Sequence, residues 1–151
     1  MNVLPARNTY YDLKNALPEF EFKAYGGGSP NGTIHTIQEI ASIMEQSRFG
    51  YHVKPGGDGF GHVIHSWSLI GRPVITNLTD YENQLAGQLL RSGITCINLE
   101  GRSLNENIAL VKNISIDQYE SMCLAMRSRA EECINYEREA VAINRFFMDL
   151  V

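Results

Sequence analysis

Residues 49–76 limit the fold of this chain more than any other stretch. Residues 49–53 are a short strand-like run, and Lys54-Pro55-Gly56-Gly57-Asp58-Gly59-Phe60-Gly61 ends it with a proline and four glycines. A helix-like run follows over 62–69 and closes at Gly71, after which Pro73-Val74-Ile75 forms a continuously apolar strand. Strand, helix and strand in that order require parallel pairing through a right-handed crossover. A glycine-rich turn opening a helix also leaves unpaired amides beside a main chain with no bulky side chains. That arrangement suits a phosphate-type anion.

The flanking sequence repeats the alternation. Tyr10, Leu13 and Leu17 lie on one side of a helix over 9–17 that stops at Pro18, and residues 20–25 read as a strand. Thr36 with Glu39 forms a capping box for a helix to about Ser47. Asp80 is placed to cap a helix through Leu90 closed by Gly93, and 94–98 is a further strand. Ser103 with Glu106 opens another helix, and 117–149 is helical with a break near Asn135. Four or five strands, each followed by a helix, predict an α/β domain with a parallel sheet covered by helices on both faces. The loops after Tyr25, Val53 and Ile75 would then lie together at the carboxyl ends of the strands.

Composition narrows the function classes. Apolar residues make up 44% and charged residues 20% of the 151, as in an ordinary globular domain. The net charge is −4 and no basic stripe occurs, which argues against nucleic acid as a partner. With no 20-residue apolar segment and no basic-then-apolar leader at Met1, the expectation is a cytoplasmic protein without a transmembrane segment. Cys96, Cys123 and Cys133 lack metal-ligand spacing and read as buried free thiols. His52, His62 and His65 form an incomplete ligand set, so no metal is expected.

The candidate site lies in the glycine-rich turn. Lys54 adds positive charge, the glycines let a phosphate approach, and His62 at the helix start can donate a hydrogen bond to it. Thr76 and Glu82 join from the next loop. Residues 26–32 form a second glycine-rich loop that matches neither the dinucleotide fingerprint nor a Walker loop.

The run KPGGDGFGHVIHSWSLIGRPVIT resembles the donor-binding segment of glycosyltransferases of the B-type fold, where a strand ends in Pro before Glu-Gly-Phe-Gly, a helix and Gly-x-Pro-Val-Ile. ALPEFEFKAYG and TIQEIASIMEQS resemble the preceding strand and helix, and the similarity covers nearly the whole chain. It implies one Rossmann-like, nucleotide-sugar-binding domain over 1–151, with 115–151 as closing carboxy-terminal helices. By position it gives Asp58 the place of the first motif Glu, the catalytic contact to the sugar. Gly57, Gly59, Phe60 and Gly61 fall beside the donor, and the second motif Glu falls at Ser66. Arg7 is the candidate for the basic group that neutralises the diphosphate. A nucleotide diphosphate sugar is thus the expected substrate, with no separate cofactor, and an acceptor domain or partner chain completes the enzyme. A non-catalytic interaction module of the same fold is the alternative, and exposed apolar residues in the tail point to a homo-oligomer.

Overall fold

The computed structural model describes residues 6–56 and 60–149, with side chains from residue 9 onward. The strand, helix and strand around the glycine-rich turn take the parallel arrangement that the crossover requires. Strand β1 (Gly50–Tyr51) pairs with β2 (Val74–Thr76), and β2 with β3 (Cys96–Asn98), both parallel, in the order β1-β2-β3. Gly50 lies opposite Val74, and Val74 opposite Cys96. Bonds from Gly50 N to Pro73 O and from His52 N to Ile75 O, both 3.0 Å, extend the ladder past the formal strand ends.

The two side-chain directions of a strand feed two cores. Val74 and Cys96 join Ile64, Trp67, Tyr81, Leu89 and Met126 on one side of the sheet. Ile75 and Ile97 join Leu13, Leu17, Val111 and Met122 on the other. Full burial of each such side chain contributes about 1.5–3 kcal/mol, so apolar packing on both sides outweighs the few backbone bonds of so short a sheet.

The described residues form six α-helices: α1 (Ala6–Ala16), α2 (Ile37–Gln46), α3 (His62–Ile70), α4 (Leu104–Lys112), α5 (Ile116–Cys133) and α6 (Tyr136–Met148). Local chemistry sets their starts. Thr36 with Glu39 and Ser103 with Glu106 form the expected capping boxes, and Ser115 with Gln118 adds a third. Gly71 closes α3 in the left-handed conformation at φ 72°. The break near Asn135 is real, and Asn135 Oδ1 accepts from Arg138 N at 2.8 Å to cap α6. None of the residues of α6 is buried.

Two expected elements do not form, and of the three cysteines expected to be buried only Cys96 is, Cys123 and Cys133 being half-buried. Residues 20–25 form no ladder: Asn31 takes the main chain of Ala24 through both its amide and its side chain, and Gly26 N bonds to Gly32 O, folding the segment into a local loop. The described residues therefore hold three strands rather than four or five. The helix expected over 80–90 is instead two 3₁₀ helices, Leu78–Tyr81 and Leu85–Leu89. Gly87 lets the chain double back here, since a Cβ at this position would collide with the Tyr81 carbonyl.

Helix α3 packs tightly on the sheet at Gly50, where Trp67 lies against the backbone. A Cβ on Gly50 would sit 2.5 Å from the indole of Trp67, which α3 holds against β1. Gly50→Ala is expected to lower the unfolding free energy by about 1–3 kcal/mol in a urea titration. An unchanged midpoint would show that Trp67 can move aside.

Candidate functional site

The parallel order brings the turns that follow all three strands to one face. After β1 the chain runs through His52 to Gly56, after β2 through Asn77 to Tyr81, and after β3 through Leu99 to Gly101. Side chains tie these turns together. Thr76 Oγ1 donates to His52 O at 2.6 Å, His52 Nδ1 meets the Tyr81 hydroxyl, and Asn98 Oδ1 accepts from Leu78 N at 3.2 Å. Glu100 takes both the amide and the hydroxyl of Thr79.

Helix α3 starts at this face. Gly61 stands before it at φ 76°, in the left-handed region where glycine is favoured, and no side chain among the described residues caps the helix. Its first-turn amides therefore receive no capping side-chain oxygen from the described residues, and the positive end of the helix dipole points outward. Phe60 stacks on His65 with ring centroids 4.4 Å apart and planes 11° from parallel, and also lies 4.9 Å from His62. The stack fixes Phe60 over the first turn while leaving it half-exposed.

The candidate residues divide into distinct groups. Lys54, Phe60 and His62 lie exposed around the turn, with Gly61 buried at the helix start. Ser66 donates to His62 O at 2.9 Å within its own helix. Thr76 is fully buried, and Glu82 is exposed at the end of the first 3₁₀ helix. Gly57, Asp58 and Gly59 fall outside the described residues, as does the side chain of Arg7. Among the described residues no group of three or more His, Cys, Asp or Glu is placed to hold a metal ion. Nor is any helix among them long and apolar enough to cross a membrane.

Two acids at this face went unread as site residues. Burial holds the carboxyl of Asp80 above the usual carboxylate range, and the charge of Glu100 adds to this. Main-chain groups of Gly56 and Lys54 and the Asn77 side chain pull it back down. Its Oδ2 is buried without a hydrogen-bond partner. The sequence assigned Asp80 to a helix cap; its place one turn beyond a central parallel strand was the feature that could have marked it for this face.

Comparison of the chain with protein-family models, curated proteins and solved structures gives no match.

Because the ionised carboxyl of Asp80 is worse off in the fold than in the unfolded chain, its protonation favours folding. That contribution is complete below the ordinary carboxylate range and is lost as pH rises through the raised value. Asp80→Asn is expected to raise the urea midpoint at pH 7 while leaving it nearly unchanged at pH 3. An equal effect at both pH values would show that the charge is not the cause.

Proposed function

We propose that this chain is a Rossmann-like domain of the B-type glycosyltransferase kind that binds a nucleotide diphosphate sugar in a cytoplasmic setting. An acceptor-binding domain or partner chain would complete the transferase. One observation carries the reading: a nine-residue helix, uncapped by any side chain among the described residues, starts from a left-handed glycine in the turn that follows a parallel strand, and Lys54 is exposed in that same turn. Ligands of open parallel sheets bind at this end of the strands, and a helix start without a side-chain cap favours phosphate. The β1-α3-β2 crossover, the parallel strand order and the apolar clusters on both sides of the sheet support the three-layer form of the fold.

In such a site the amides of the first turn of α3 and the Lys54 ammonium would take the diphosphate, and Asp58 would face the sugar. Sugar transfer leaves negative charge on the departing diphosphate, and fixed amides with a lysine stabilise that charge as it develops. Stacked Phe60 offers an apolar shelf at the edge. Asp80 and Glu100 share the face, so a bound diphosphate must sit on the α3 side of the turn, away from them.

The second reading is a non-catalytic interaction module. It is favoured by α6, where Tyr136, Phe146, Phe147 and Met148 are 62–77% exposed, and by Asp80, an internal anion against the main chain of Lys54 and Gly56. A helix with no buried residue gains little from its own domain and much from a partner.

Calorimetric titration with UDP, GDP and their sugar conjugates tests the first reading. Binding below 1 mM is expected, with Lys54→Ala weakening it about tenfold. No heat at millimolar ligand would refute it. For the second, light scattering is expected to show self-association that Phe147→Glu abolishes, and a strictly monomeric mass at high concentration would count it out.

A further inference from the structure

At the opposite end of the sheet, where β2 begins, a separate cavity of about 510 Å³ opens among the ends of α2 and α3 and the middle of α5. Pockets of about 300–1,000 Å³ accommodate small organic ligands. Its wall combines two arginines, Arg72 and Arg127, with the Cys123 thiol and an apolar side formed by Leu69, Ile70 and Leu124.

Among the described residues neither guanidinium pairs with a carboxylate. Arg72 donates from Nη1 to the Tyr119 hydroxyl at 3.1 Å and from Nη2 to the Glu45 carbonyl at 2.7 Å, both uncharged partners. Its Nε is buried and has no hydrogen-bond partner. Arg127 has no hydrogen-bond or ion-pair partner among the described residues, in contrast to Arg129 two residues on, which pairs with Glu132 at 2.9 Å. Gly71 makes room for Arg127: a Cβ there would come 3.2 Å from its Nε and 3.4 Å from its Nη2. Tyr119, Cys123 and Arg127 recur every fourth residue of α5 and so share one stripe of the helix. Glu45 is the single acid in the lining, and among the described residues it makes no ion pair with either arginine.

A half-buried guanidinium with an unpartnered Nε and a second, exposed one with its fork unused line the same cavity, and together they offer donors suited to an anion. We propose that this cavity binds a small organic oxyanion, a carboxylate or a phosphate monoester with an apolar body. The fork of Arg127 and Nε of Arg72 would hold the anionic head, and Leu69, Ile70 and Leu124 would cover the body. The site lies away from the glycine-rich turn and is independent of the nucleotide-sugar reading.

Cys123 on the wall supplies the readout. Cys133 is half-buried and lies outside the cavity, which makes it an internal control. Cys96 is fully buried with its thiol pushed up to about 12 by burial, so it stays unreactive in the native protein. The full chain is alkylated with iodoacetamide in the presence of phenyl phosphate, benzoate, inorganic phosphate or neutral benzyl alcohol, and the rate at each cysteine is read by peptide mass spectrometry. Saturating phenyl phosphate or benzoate is expected to slow alkylation of Cys123 at least fivefold and leave Cys133 unchanged, and the stronger of the two identifies the head group. Inorganic phosphate is expected to protect only at higher concentration, because it cannot use the apolar wall. Arg127→Ala removes an exposed, unpartnered side chain and is expected to abolish the protection. Absence of protection by either organic anion, equal protection by benzyl alcohol, equal protection at Cys133, or full protection retained in Arg127→Ala would each overturn the proposal.

Discussion

The structure depends on β2 being buried from both sides. Val74 enters one core and Ile75 the other, and both are essentially inaccessible to water. A three-residue strand has few hydrogen bonds of its own, so it stays in place only because two apolar clusters pack against it and β1 and β3 satisfy its main chain. The Thr76 hydroxyl completes this by donating to the His52 carbonyl, which locks the end of β1 to the end of β2. Every turn at the candidate face takes its position from that strand.

The fold was legible in the sequence where local chemistry decides it. Thr36 with Glu39, Ser103 with Glu106, Gly71 and Asn135 each mark a helix end through a bond made within one turn, and each does so in the structure. Reading failed where a distant contact decides. The alternation of residues 20–25 is that of a strand, yet Asn31 captures Ala24 and no neighbouring strand pairs with the segment. Between Asp80 and Leu90 the helical pattern was present, but the close approach of Gly87 to the Tyr81 carbonyl makes 3₁₀ geometry the outcome. Neither contact leaves a periodic trace.

The same division runs through the site. The glycine-rich turn and the start of α3 could be read because glycine and helix-end chemistry are local. Lys54 and His62 are exposed at that turn, whereas Ser66 bonds within its helix and Thr76 lies inside the sheet. The acidic side of the face, Asp80 with Glu100, is assembled from loops twenty residues apart. Only the order of the strands brings them together. The resemblance to donor-binding domains therefore rests on the half of the face that sequence shows most directly.

Helix α6 differs energetically from the rest of the chain. Its thirteen residues are held by their own hydrogen bonds and the Asn135 cap, with no buried side chain to couple them to either core. A helix of that length is marginal in water unless packing supports it. Its opening is thus governed by local helix–coil equilibrium, while the strands open only when the whole domain does. Amide hydrogen exchange in this one molecule would then run on two separate clocks, the faster one beginning just past the non-helical link at Ile134 and Asn135.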